Sequence, residues 1–165
     1  MKTLLSLLTI VTLVSAVCAA PSPRRQFQAE HNRQVSAFNH KDLNGFMAHY
    51  APALQVHQRD GKTLDLAGWR GFIGSVMPCI LKVRTHQHHV TALTAVGDEW
   101  KARIAEREDY SIKDNLSLFG KKGAHHQLRV NSIYEEIWTK TPQGWRVRDL
   151  KFLSEKQVLD GKPIP

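Results

Sequence analysis

Three histidines fall within four positions of VRTHQHHVT, residues 83–91: His86, His88 and His89. A second pair, His125 and His126, follows further along the chain. An unperturbed imidazole titrates near pH 6.5, which suits proton transfer, and neutral imidazole is a common metal ligand. On an extended strand, side chains at i and i+2 share a face and i+1 takes the other. His86 and His88 therefore share a face, and His89 points away from it. A metal site needs three or four donors at bonding distance. His86 and His88 supply two, and His126 or a glutamate from another strand would have to complete the set. The spacing leaves three roles open: metal ligands, polar decoration of a sheet, or at least one acid, base or hydrogen-bond donor in a pocket.

Carboxylates and hydroxyls recur with the same period. In EWKARIAEREDY, residues 99–110, Trp100, Ala102, Ile104, Glu106, Glu108 and Tyr110 share a face. If that face is concave, Glu106 and Glu108 enter a pocket, where burial raises a carboxylate's pKa and makes it a usable base. If the sheet end is solvated instead, Glu106 pairs with a neighbouring arginine. Asp149 on the last strand carries the same ambiguity. Ser132, Tyr134, Glu136 and Trp138 share a face with Leu128 and Val130. Ser132 and Tyr134 are candidate donors to a ligand oxygen. No nucleophile motif surrounds Ser132, so covalent catalysis is not expected. Trp69, Phe72 and Trp100 read either as core or as a ligand platform.

The elements that must position these groups follow from periodicity. From Gln26 to Tyr50 the apolar spacing is helical, with Phe27, His31, Val35 and Phe38 on one face, then Leu43, Phe46, Met47 and Tyr50 after NHKD. Asp42 is placed to cap the second helix, and Pro52 lies beyond its end. ALQVHQRDGKTLDL reads as a hairpin turning at Asp60-Gly61. LAGWRGFIGSVMP returns to helix, with Asp65 near its start and Trp69, Phe72, Ile73 and Val76 on one face. Gly68, Gly71 and Gly74 weaken that helix, so it depends on packing. From Leu81 on, four long strands are joined by turns and one longer loop, KDNLSLFGKKG. Helices ahead of a long antiparallel sheet predict an α+β domain whose helices cover one sheet face.

The N-terminus carries Lys2, an apolar run from Leu4 to about Val17, and Val17-Cys18-Ala19 ahead of Ala20. A membrane span needs roughly 20 apolar residues, more than this run has, so it reads as a secretory signal peptide. The expected organisation is a signal peptide over residues 1–19, a processed or flexible leader over 20–26, one domain over 27–157 and a tail over 158–165. Arg24-Arg25 in the leader reads either as a second processing site or as a basic lead into the first helix. Removing the signal leaves Cys79 as the remaining cysteine, so the domain must rest on its core rather than on a disulfide. About 145 residues suffice for one such core. Asn115-Leu116-Ser117 is a glycosylation sequon in a polar stretch, consistent with secretion. The net charge is +8, but no basic run exceeds two residues, so nucleic acid is not an expected partner.

Several stretches together carry a family resemblance: VSAFNHKDLNGFMAHYAPALQVH, WRGFIGSV, EWKARIAERED and EEIWTKTPQGWRVRDLKF. Their order and spacing resemble the nuclear transport factor 2-like superfamily, including its SnoaL-like branch. The resemblance implies a cone, a curved antiparallel sheet wrapped around N-terminal helices with an internal pocket. That fold serves isomerases, dehydratases, polyketide cyclases and non-catalytic modules, so it does not decide function. Within the group, LKVRTHQHH and VNSIYEEIW are similar to pocket segments of the scytalone dehydratases. The match implies a pocket histidine at His88, a pocket serine at Ser132, and Tyr110 where the family has a second histidine. The pattern also departs: Phe38-Asn39 stands where that family has Tyr-Asp, Gln58 where it has an active-site tyrosine, and the carboxylate that orients its histidine is missing from its expected place. The resulting expectation is a secreted domain that binds a small, mostly apolar molecule. As an enzyme it would isomerise, dehydrate or cyclise by proton transfer. His88 would exchange the proton, with its ring nitrogen near Tyr110 or Ser132, and Tyr110, Ser132 and Tyr134 would polarise the substrate oxygen. Glu106, Glu108, Trp69 and Phe72 are expected to contact the ligand. No metal is assigned and no cofactor is called for. No membrane partner is expected after signal removal, and the open sheet face is a candidate homodimer interface. The alternative is a non-catalytic binding or interaction module of the same fold.

Overall fold

The computed structural model describes residues 22–117 and 119–164. The expected signal peptide, and residues 20 and 21 of the expected leader, lie outside the described residues. Helix α1 spans Pro23–Asn39, with proline in its first turn where no intrahelical N–H bond is lost. Its buried residues are Phe27, His31, Gln34 and Phe38. Gln34 thus takes the inward place that the apolar pattern assigned to Val35. Helix α2 covers Leu43–Met47, and the Asp42 carboxylate accepts from the Gly45 N–H as expected of a cap. Tyr50 already belongs to strand β1 (Tyr50–His57) rather than to the helix. Pro52 lies inside that strand, between Tyr50↔Val147 and Gln55↔Asp149, where the pairing register breaks. A proline has no N–H to give the ladder, so the break falls where it costs least.

Strand β2 (Thr63–Asp65) closes the hairpin, and helix α3 (Leu66–Val76) follows, with Asp65 Oδ1 accepting from Gly68 N–H at 2.8 Å. Asp65→Ala should cost about 1 kcal/mol, the usual value of an N-cap, read as a shift in the urea midpoint. A 3-10 turn, Met77–Cys79, leads into β3 (Ile80–Val96), β4 (Glu99–Lys113), β5 (His125–Thr141) and β6 (Gly144–Leu159). The strand thus runs past residue 157, and Lys162–Ile164 folds back on it as β7. The sheet order is β2-β1-β6-β5-β4-β3, with β7 on β6. All pairs are antiparallel except β1 with β6. The path is open, and register shifts in β3/β4 and β5/β6 bend it, because an extra residue in one strand increases local twist.

The curved inner face packs on the helices. Phe27, Leu54, Val56, Ile104, Trp138 and Val147 are almost wholly buried there. This is the α+β architecture the sequence pattern requires. Among the described residues, no helix is long and apolar enough to cross a membrane.

Candidate functional site

A cavity of about 260 Å³ lies between the helices and the inner sheet face. Phe38 from α1, Phe46 from α2, Trp69 and Ile73 from α3, and Leu150 and Phe152 from β6 form apolar wall. Trp69 is buried and stacks on Phe72 (ring centroids 5.4 Å, 18° between planes). Phe72 lines the cavity but is 45% exposed, which makes it rim rather than core. Trp100 packs edge-on against Phe27 in the core instead.

The polar end is built by cross-strand register. His88 pairs with Glu106, which pairs with Ser132; His86 pairs with Glu108 in the next row. All of these, with Tyr110 and Tyr134, line the cavity. His88 Nε2 and Glu106 Oε1 are 2.7 Å apart, a charge-assisted hydrogen-bond length. On the ring's other side, His88 Nδ1 meets His31 Nδ1 at 3.2 Å and the Tyr134 hydroxyl at 3.3 Å. The short contact to a carboxylate fixes the proton of neutral His88 on Nε2, so Nδ1 accepts from His31 or Tyr134. Both ring nitrogens of His88 are thereby engaged by protein groups. His86 Nδ1 lies 3.2 Å from Asn39 Oδ1. The Tyr110 hydroxyl donates to Glu108 Oε1 at 2.7 Å. Ser132 Oγ is buried and has no hydrogen-bond partner within the protein.

Electrostatics divides the two carboxyls. Burial by itself would raise the Glu106 pKa, but the charges and hydrogen bonds of His88 and His86 outweigh it and hold it well below the usual carboxylate range. Glu108 goes the other way, pushed well up first by burial and then by the negative charge of Glu106, against a smaller opposing effect of the Tyr110 hydrogen bond. Burial likewise lowers His88, against the pull of Glu106, and raises the phenols of Tyr110 and Tyr134. The two carboxyls, two residues apart on one strand face, are thus driven in opposite directions, Glu106 toward its ionised form and Glu108 toward its neutral one, the divergence expected of an acid–base pair.

The structure brings His88, Glu106, Glu108, Tyr110, Ser132, Tyr134, Trp69 and Phe72 to one cavity. The reading of Glu106 as a solvated partner of an arginine is corrected: its side chain is 14% exposed and bonds His88. The His88 ring nitrogens meet Glu106, His86, His31 and Tyr134 rather than Tyr110 or Ser132. Glu106 thereby gives His88 a carboxylate partner from the neighbouring strand, where the family pattern has it elsewhere. His89 is exposed on the outer face. His126 is outside this cluster and bonds Asp160 at 2.7 Å. Asp149 pairs with His57 at 3.2 Å, outside the cavity lining. Asn115 is exposed in the turn after β4. Sequence reasoning placed His31 on the inward face of α1 without giving it a role, and it missed Gln34 and His49. Gln34 is one residue from the place assigned to Val35, whereas nothing in the sequence marks His49.

No family model matches the chain, and no curated protein matches it. Solved structures do. A nuclear transport factor 2-like superfamily protein from Salmonella enterica superposes with a TM-score of 0.59 at 15% identity, covering 78% of this chain and 88% of that one. A Novosphingobium aromaticivorans protein provisionally named a scytalone dehydratase gives 0.61 at 9% identity, covering 79% and 84%. A ketosteroid isomerase-like protein from Erwinia carotovora gives 0.57 at 13% identity, covering 81% and 98%. At these identities the likeness is one of fold, and the chain has the nuclear transport factor 2-like fold.

Proposed function

We propose, for a chain of the nuclear transport factor 2-like fold with this cavity, that the protein is exported by residues 1–19 and acts on a small, mostly apolar molecule bearing a carbonyl or hydroxyl oxygen. The reaction is cofactor-free proton transfer: isomerisation, dehydration or cyclisation. The carrying observation is a pair of carboxyls at the polar end of an apolar cavity, Glu106 bonded to His88 at 2.7 Å and Glu108 bonded by Tyr110 at 2.7 Å. Glu106 takes a proton from a carbon next to the carbonyl. Glu108 gives one to the oxygen, since Tyr110 occupies only its Oε1, and an enol results. Returning the proton to a different carbon isomerises the ligand; loss of a neighbouring hydroxyl as water dehydrates it. His88 holds Glu106 in place and keeps it ionised, and Ser132 Oγ offers the ligand oxygen a further hydrogen bond. Trp69 and Phe72 form the apolar wall and rim against which the ligand packs.

The test is a panel of small cyclic ketones with exchangeable α-hydrogens. Binding is read by thermal shift, and exchange in D2O by proton NMR. The expected result is that at least one ketone both stabilises the protein and loses its α-hydrogen faster with protein present. His89→Ala, on the outer face, should leave that exchange unchanged. No stabilisation and no exchange across the panel would count against the reading. A second reading, a binding module without turnover, is favoured by one observation: Phe38 and Asn39 occupy the place of the expected Tyr-Asp pair, and Asn39 is engaged with His86. Binding without exchange in the wild type would select it.

A further inference from the structure

Outside the cavity lining lie three ionisable groups that the proposed proton transfer does not use. His31 projects from α1, His49 precedes β1, and Glu136 projects from β5. Their relative exposures are 0%, 4% and 1%. His31 Nε2 is 3.1 Å from Glu136 Oε2, and His49 Nε2 is 3.8 Å from Glu136 Oε1. Neither nitrogen makes a hydrogen bond. The first contact is off the line an N–H would need, and the second is too long. Two buried imidazole nitrogens therefore face one buried carboxylate with no proton well placed between them. An ionised carboxylate in such surroundings requires a positive counterpart.

One cation among the three satisfies all of them. Ligands about 2.0–2.1 Å from a tetrahedral zinc ion lie roughly 3.3 Å from each other. The two nitrogen–oxygen separations, each to a different oxygen of the carboxylate, fall on either side of that value, and the two imidazole nitrogens and one carboxylate oxygen lie within 4.8 Å of one another. Two imidazoles and one carboxylate, with water in the fourth place, is a standard donor set for zinc. The surroundings fit as well. Metal-bound imidazole carries its proton on the other nitrogen and gives it to an acceptor. His31 Nδ1 faces His88 Nδ1 at 3.2 Å, and His88, with its own proton committed to Glu106, is an acceptor there. Trp138 Nε1–H donates to Glu136 Oε2 at 2.9 Å, an outer hydrogen bond on the carboxylate. A second trio, His86, His88 and Glu106, is tighter, its ligand atoms 2.7, 3.2 and 3.8 Å apart. It is the weaker candidate because its closest pair is already joined by a hydrogen bond. We propose that His31, His49 and Glu136 bind one divalent cation of the zinc class in the protein interior, beside the cavity rather than in it. This is independent of the proton-transfer reading, because none of the three lines the cavity.

The experiment uses the full chain, stripped with chelator under denaturing conditions and refolded. Zn²⁺ alone is added and the melting temperature followed; Co²⁺ alone is added and the visible spectrum recorded. The expected result is a rise in melting temperature that saturates at one Zn²⁺ per chain, and Co²⁺ bands of tetrahedral intensity. Both should vanish in His49→Ala and Glu136→Gln and persist in His86→Ala. X-ray absorption of the zinc-loaded wild type should show nitrogen and oxygen neighbours and no sulfur, a reading that stands even where a variant fails to fold. The proposal is overturned by an unchanged melting temperature with no Co²⁺ bands in the wild type. It is equally overturned by binding that survives His49→Ala and disappears in His86→Ala, which would assign the ion to the cavity trio.

Discussion

Glu106→Gln should slow α-proton exchange on a cavity ligand by about 10²- to 10⁴-fold, the usual contribution of a positioned base, while affinity for the ligand changes only a few-fold. The substitution keeps the size of the side chain and its ability to accept from His88 Nε2–H. What it removes is the negative oxygen that takes the proton. The pH profile follows from the two carboxyls. Glu106 has its pKa depressed and stays ionised through the neutral range. Glu108 has its pKa raised, so its proton is present at low pH and lost as pH rises through that value. Exchange should therefore fall on the alkaline side, as Glu108 gives up the proton that the ligand oxygen needs. Glu108→Gln, which can hydrogen-bond the ligand oxygen but has no proton to give it, should slow exchange and remove that limb. Exchange measured by NMR across pH checks both statements. An unchanged rate in Glu106→Gln would remove the carboxylate from the chemistry. His88→Ala acts through Glu106: without the Nε2–H, the Glu106 pKa should rise, and a rising acid limb should enter the accessible range.

Trp138→Ala should destabilise the fold by about 3–5 kcal/mol, the range for deleting a large buried aromatic, out of a total that is about 5–15 kcal/mol for a domain. The Trp138 ring is fully buried between α1 and the sheet, with centroids 4.6 Å from Phe27 and 4.7 Å from His49. Its Nε1–H is also the well-formed hydrogen bond to the buried Glu136. Trp138→Phe separates the two roles. It keeps most of the ring contact and gives up the donor, so it should cost about 1–3 kcal/mol, the penalty for a buried acceptor that loses its partner. Urea unfolding of both variants tests the division. Equal losses would mean that ring packing contributes little and the hydrogen bond carries the effect.

The inner faces of β4 and β5 were legible because alternation in them is unbroken. Ala102, Ile104, Glu106, Glu108 and Tyr110 line up as a period of two requires, and so do Val130, Ser132, Tyr134, Glu136 and Trp138. The caps Asp42 and Asp65 were legible for a similar reason: capping is local, an oxygen reaching an N–H three residues away. Strand β3 obeys the rule only between register shifts. His86, His88 and Val90 are buried in step, but Ile80 and Val83 precede them at spacings of three, because extra residues near Lys82 and Arg84 reset which face points inward. The sequence correctly paired His86 with His88 against His89, yet alternation alone could not say which pair faced the helices.

Partnership across the sheet was decided only by the fold. That Glu106 meets His88 depends on the β3–β4 register, which a bulge of one residue would move to the other face. That Glu106 is pushed down while Glu108 is pushed up depends on the burial of Glu108 beside Glu106 and on where the two imidazoles fall against Glu106, a matter of ångströms between strands. His49 illustrates the limit most clearly. It lies in a turn with no periodic context, and it becomes a buried neighbour of Glu136 because β1 runs parallel to β6 and carries the turn into the core. Periodicity in a chain records which side of an element meets apolar neighbours, since that side must be apolar along its length. It does not record which two polar side chains from distant elements will meet, because that is set by strand register, bulges and helix docking acting together.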